Sequence, residues 1–178
     1  MTRTPNEDAG RFVREAVDRF EGPLTQYAAR LLGDHDRARD VVQDAFLRLC
    51  SQDHGALEGR LAEWLFTVCR NRTTDILRKE GRMASLTEEQ LLLRASPEPG
   101  PPEIAEARDT QSRAAQLLET LPESQREVIR LKFQNGFSYR EISRISGHSV
   151  SNVGYLIHVG LKAIRSQLAD PQPAEAAP

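Results

Sequence analysis

The chain is poor in the residues that define most small specialised proteins. Of its 178 residues only two are cysteine, one is tryptophan, and aromatics make up 6%. Cys50 and Cys69 are too few for a disulfide scaffold and fit a reducing compartment. No apolar run approaches the roughly 18 residues of a membrane span. The opening MTRTPNEDAGR has no hydrophobic core of the signal-peptide kind. A cytoplasmic protein without membrane insertion is the expectation. Phosphate-binding glycine loops, G-x-S-x-G and H-E-x-x-H are absent, as are closely paired cysteine or histidine ligands. No catalytic residue, no metal site and no cofactor is expected. Net charge is low as well: 24 Lys and Arg against 26 Asp and Glu leave −2. Taken whole, that balance speaks against a protein that coats nucleic acid.

The average conceals blocks of opposite sign. Residues 1–58 carry −3, 59–85 carry +3, 86–110 carry −4 and 121–170 carry +3. Two basic blocks separated by an acidic one make whole-chain charge a poor guide to partners.

Apolar residues recur at helical spacing almost throughout, which predicts an all-α fold. Val13, Ala16, Val17 and Phe20 form one stripe, which Gly22-Pro23 is expected to break. Leu24, Tyr27, Ala28 and Leu31 form the next. A third helix places Ala38, Val41, Val42, Ala45, Phe46 and Leu49 on one face and Asp36, Arg37, Asp40, Gln43 and Asp44 on the other. A fourth follows the loop Ser51–Gly59 and carries Leu61, Trp64, Leu65, Val68 and Ile76. Its second half crowds Arg70, Arg72, Arg78, Lys79 and Arg82. Basic groups beside exposed aromatics suit single-stranded nucleic acid, since charges follow the backbone while bases stack. Trp64 fits the core stripe; Phe66 lies off it and is open to either role.

Residues 83–111 change character: SPEPGPPE holds four prolines and a glycine among acidic groups, the composition of a flexible linker. LTEEQLLLR within it could form a helical turn. Residues 1–10 and 169–178 are expected to be disordered, leaving two small helical domains at 11–82 and 112–168. In the second, Ala114, Leu117, Leu118 and Leu121 make one stripe, and Val128, Ile129, Leu131 and Phe133 another. Ser138-x-x-Glu141 reads as a capping box opening a short helix that ends at Gly147. The last helix, from near Ser149, turns Val150, Val153, Ile157, Leu161, Ile164 and Leu168 to one side. Helix, short glycine-containing turn, helix is helix-turn-helix geometry. Its outer face carries Ser151, Asn152, Tyr155, His158, Val159, Lys162 and Ser166, with Arg165 at the edge. Ser151 and Asn152 suit phosphate, Tyr155 and His158 base edges, and Val159 a thymine methyl.

Three functional classes compete for these residues. One is an operator-binding helix-turn-helix regulator, which leaves the acidic and basic helices unexplained. Another is a small metal-dependent helical protein using Cys50, His54 and Cys69. The third emerges from DVVQDAFLRL at 40–49, AEWLFTVCRN at 62–71 and DILRK at 75–79. These resemble region 2 of the extracytoplasmic-function (ECF) group of bacterial sigma factors. LPESQREV at 121–128 and GFSYREI at 136–142 resemble their region 4.

The resemblance implies core RNA polymerase as partner. The β′ clamp helices would meet Asp40, Gln43 and Asp44, and the β flap is a second expected contact. It implies that the loop 51–59 and following helix melt the −10 element and capture a flipped base. Asn71 falls at the base pocket, with Thr67 and Val68 beside it and Arg70, Arg78 and Lys79 on the strand. Helix 149–166 becomes the −35 reader, with Arg140, Arg144, Lys162 and Arg165 holding the DNA backbone. An anti-sigma factor is the implied regulator. The chain departs from the family at Gly154, Leu156 and Val159, where Lys or Arg is common. A bidentate pairing with a base is worth about 1–3 kcal/mol of discrimination, which these three side chains cannot supply.

Overall fold

The computed structural model describes residues 5–84 and 107–169. Among these, all regular structure is helical, and the chain divides into two compact units. The proline-rich segment, LTEEQLLLR and the tail beyond residue 169 lie outside the described residues.

The first unit is a three-helix bundle of α1 (Pro5–Leu32), α2 (His35–Leu49) and α3 (Leu61–Ala84). The expected break at Gly22-Pro23 does not occur: α1 runs straight through it. Proline inside a helix removes one backbone hydrogen bond and crowds the preceding turn. Here Gly22 and Pro23 lie on the solvent side, while Leu24, Thr25, Tyr27 and Ala28 just beyond are buried. Burial of that next turn outweighs the local cost. The helix also begins at Pro5, inside the stretch expected to be disordered, and proline at a first helical position forfeits no intrahelical bond.

Gly33, at φ 70°, ends α1, and the Asp34 carboxylate caps α2 by accepting from the N–H groups of Asp36 (2.9 Å) and Arg37 (3.1 Å). Ala38, Val41, Val42, Ala45 and Leu49 of α2 meet Leu65, Phe66, Cys69 and Thr73 of α3 in the core. Phe66 is therefore a core residue, 2% exposed, with its ring centroid 5.1 Å from that of Tyr27. It is not available to stack on a base. Trp64 is half-buried. Burial pushes the Cys69 thiol up to about 12, so it stays protonated and inert. Two ion pairs brace α2 against α3, Arg37 with Glu80 and Arg72 with Asp44.

The second unit comprises α4 (Ala107–Glu119), α5 (Glu123–Phe133), α6 (Tyr139–Ser146) and α7 (Val150–Ala169). Leu118, Leu121, Val128, Ile129, Leu131, Ile142, Ile145, Val153 and Ile157 form its core, joined by Phe137 from the α5–α6 turn. Two expected core residues face out. Phe133 is 61% exposed because α5 stops there, so no further turn covers it. Val150 is 44% exposed at the first position of α7, before that helix reaches the core.

Arg130 is buried, and Glu119 holds it together with Arg126 (3.0 Å). Burial of the Glu119 carboxyl would raise its pKa, but the two guanidinium groups outweigh that and hold it below its usual value. Where α7 crosses α5, Gly160 is buried: a Cβ there would stand 2.6 Å from Ile129 Cδ1 and 3.2 Å from Leu121 Cδ1. Any side chain at this position would have to displace the tips of both side chains.

Candidate nucleic-acid interface

Two surfaces in the first unit carry the residues expected from the sequence. On α2, residues 40, 43 and 44 share one helical face by their i, i+3, i+4 spacing. Asp40 and Gln43 are exposed, and Asp44 is half-exposed with Arg72 Nε 3.2 Å from its Oδ2. Gln43 also lines a groove between α1 and α2 that includes Val17, Val42, Phe46 and the exposed Leu47. An acidic ridge beside apolar side chains is suited to a protein partner with basic groups around an apolar centre.

On α3, Thr67, Val68 and Arg70 are half-buried and Asn71, Arg78 and Lys79 are exposed. Residues 67, 71 and 78 follow one another along the helix at one face. The Thr67 hydroxyl donates to the Glu63 carbonyl (2.7 Å), and Arg78 lies 3.5 Å from Asp75. The preceding loop is tightly held. His54 Nε2 lies 3.1 Å from the Leu49 carbonyl, and its ring stacks on Phe12 of α1 at 4.5 Å between centroids. The Asp53 carboxylate accepts from Gly55 N–H (3.0 Å), a single 3₁₀ turn Gly55–Leu57 buries Leu57, and Arg60 Nε donates to the Ala56 carbonyl (2.9 Å). His54 and Phe12 are 42 positions apart, and no periodicity links them; their contact had no sequence signal. Among the described residues no three His, Cys, Asp or Glu side chains converge as a metal site. Cys69 points into the core and His54 is engaged with Leu49.

The second unit forms a helix-turn-helix from α6 and α7. The capping box at its entrance is complete. Ser138 N–H and Oγ donate to Glu141 Oε2 (2.7 and 2.6 Å), and Glu141 N–H returns to Ser138 Oγ (3.4 Å). Gly147, at φ 75°, ends α6 in the left-handed region. The turn is then fixed by Ser143 Oγ donating to the His148 carbonyl (2.6 Å) and by Ser149 Oγ accepting from Asn152 N–H (3.2 Å).

From this platform α7 presents Ser151, Tyr155, His158, Lys162 and Arg165, all exposed, with Tyr155 at 63%. Arg140 and Arg144 are exposed on α6. Asn152 and Val159 are half-buried, and the Asn152 amide lies 3.4 Å from His148 Nδ1, so it is directed partly toward the turn. The Tyr139 ring packs beside Gly154, its Cε2 at 3.5 Å from where a Cβ would stand, an ordinary contact. Lys132 Nζ sits 5.6 Å from the centre of that ring. Tyr139 was not among the sequence candidates.

The hydrogen bonds from Ser138 hold the Glu141 carboxyl below its ordinary value of 4.5. A depressed folded-state pKa adds stability above the unfolded value that disappears as pH falls through the folded one. Ser138→Ala is therefore expected to cost about 1 kcal/mol near neutral pH. The difference should shrink steadily below pH 4.5. Denaturant unfolding of both proteins across that range reads it directly; a pH-independent difference would deny the carboxylate its part.

The model of sigma-70 region 2 matches residues 16–83, and that of sigma-70 region 4 matches residues 111–164. The ECF RNA polymerase sigma factor EcfG of Rhodopseudomonas palustris is 34% identical over 131 residues, covering 73% of this chain and 70% of that protein. SigL of Mycobacterium tuberculosis strain H37Rv, an ECF RNA polymerase sigma factor, is 30% identical over 165 residues, 89% of each chain. Among solved structures, the sigma factor RpoE of Bartonella quintana, crystallised with the anti-sigma factor NepR, shares the fold. Its TM-score is 0.69 at 24% identity, over 89% of this chain and 98% of that one. CnrH in complex with the cytosolic domain of CnrY aligns with a TM-score of 0.58 at 25% identity, over 92% and 91%. Two helical units of the matching kinds, in the matching order, place this chain in the sigma-70 family as an ECF RNA polymerase sigma factor.

Proposed function

We propose that the chain is a non-catalytic, cytoplasmic initiation subunit with its three contacts divided between the two units. Asp40, Gln43 and Asp44 dock on the β′ clamp helices of core RNA polymerase. Thr67, Val68, Arg70, Asn71, Arg78 and Lys79 open and hold the −10 element beneath the loop 51–59. Arg140, Arg144, Ser151, Asn152, Tyr155, His158, Val159, Lys162 and Arg165 engage the −35 element, with the β flap supporting the second unit. Two helical units, the first ending with α3 and the second beginning with α4 at Ala107 inside the stretch expected to be linker, suit two promoter elements about two helical turns apart. An anti-sigma factor is the expected regulator, in keeping with the partners named for RpoE and CnrH.

The observation that supports this reading most is the split of charge by surface. The acidic groups Asp40 and Asp44 lie on α2 and the basic excess on the second half of α3, the two meeting at the Arg72–Asp44 pair, although the whole chain is nearly neutral. Flipping a base costs a few kcal/mol, and a pocket at Asn71 that accepts one base converts this cost into selectivity.

Transcription by core polymerase plus the full chain, on a duplex library randomised across both promoter elements, tests the reading. Transcripts are expected to enrich one sequence at each element. Tyr155→Ala and His158→Ala should each weaken the −35 preference by about 1–2 kcal/mol and leave the −10 preference intact. Unchanged −35 preference in both variants would remove these residues from base reading.

A further inference from the structure

Arg72, in the basic half of α3, reaches across to the acidic face of α2. Its Nε lies 3.2 Å from Asp44 Oδ2, and the two side chains are 38% and 45% exposed. It also directly follows Asn71, the candidate base-pocket position, and precedes Lys79 by seven residues, which puts Arg72 and Lys79 on one side of α3. Two neighbouring pairs do not join the candidate surfaces in this way. Arg78 pairs with Asp75 on its own helix, and Arg37 pairs with Glu80 near the far end of α3.

We propose that Arg72 is an additional backbone contact for the opened −10 strand, masked by Asp44 in the free chain and released when polymerase engages Asp44. The proposal rests on the assignment of Asp44 to the polymerase and α3 to DNA. A guanidinium recognises carboxylate and phosphate with the same planar donor fork, so one partner excludes the other. A half-exposed ion pair is weak and screened, so a polymerase cation at Asp44 is enough to displace Arg72. Docking would then switch on one more phosphate contact beside the pocket, and the free chain would hold single strands less well than the holoenzyme does.

The test uses the isolated full-length chain and a labelled single-stranded DNA of mixed sequence, read by fluorescence anisotropy over a salt series. A backbone contact is independent of sequence, so no promoter need be known. Asp44→Asn is expected to tighten binding about three- to fivefold and to steepen the salt dependence by about 0.7, the increment for one phosphate on a single strand. Asp36→Asn removes the same charge from α2 away from Arg72 and should change affinity less than about 1.5-fold. Arg72→Gln alone should bind as the parent does, and Asp44→Asn with Arg72→Gln should abolish the gain. A gain matched by Asp36→Asn, or one that survives in the double variant, overturns the proposal. Failure of the parent chain to bind core polymerase would instead overturn the polymerase assignment, which the DNA measurements do not touch.

Discussion

Gly160→Leu is expected to strip the second unit of most of its stability while leaving the first intact. Even a single carbon at this position would stand 2.6 Å from Ile129 Cδ1 and 3.2 Å from Leu121 Cδ1, both side chains nearly fully buried. A leucine adds three more carbons, and interiors packed at crystal-like density have no space to receive them. Overpacking costs about 1–3 kcal/mol and occasionally more. A core of this size rarely supplies more than about 3–5 kcal/mol. The substitution therefore removes most of the unit's margin, equivalent to a fall in melting temperature of roughly 15 °C. Gly160→Ala is the control: the helix propensity gained, about 1 kcal/mol, offsets a small displacement of the tip of Ile129. Circular dichroism of the full chains on heating distinguishes the two. Polymerase binding through α2 should survive Gly160→Leu, whereas −35 dependence should vanish. An unchanged melting profile would mean that α5 and α7 can part without cost.

The same crossing illustrates what could be read from the sequence and what could not. Apart from α1, whose pattern reads as two helices, every α-helix and both capping signals of the helix-turn-helix were legible, because caps and apolar stripes are local patterns. Gly160 carried no such signal; its role exists only where α5 lies across it. Pro23 misled in the other direction: its local preference is to end a helix, and burial of Leu24, Tyr27 and Ala28 overrode it. Phe66 was ambiguous because it lies off the α3 stripe, and residues on other helices, Tyr27 of α1 among them, make it core. For the candidate sites, periodicity picked out the exposed residues Asp40, Gln43, Asn71, Tyr155, His158 and Lys162, but Thr67, Val68, Arg70, Asn152 and Val159 are half-buried. What joins them was not visible: Arg72 and Asp44 are 28 positions apart, and His54 and Phe12 are 42 apart. The whole-chain charge of −2 was the least informative quantity, since it sums surfaces facing different partners.

Asp44→Lys is expected to have the largest effect of any single change on polymerase binding. The carboxylate lies on the same face of α2 as Asp40 and Gln43, beside the groove lined by Phe46 and Leu47, so a docked partner would desolvate it. Reversing its charge both removes an attraction and sets an ammonium against Arg72, now unpaired within the same surface. Truncating one member of a desolvated charge pair typically costs about 2–5 kcal/mol, and reversal should reach the upper half of that range. Affinity for core polymerase, measured by competition against a second sigma factor, should fall at least about 100-fold. The fold should hold, because a half-exposed pair contributes no more than about 1 kcal/mol and Arg37 with Glu80 still braces α2 to α3. An unchanged affinity would remove this face of α2 from the docking surface. The milder Asp44→Asn is more telling, because it should weaken polymerase binding while strengthening the grip of the free chain on single-stranded DNA. General loss of structure would lower both, and a purely electrostatic effect of net charge would be reproduced by Asp36→Asn. Opposite movement confined to position 44 is expected only of a residue whose ion pair divides one arginine between two partners.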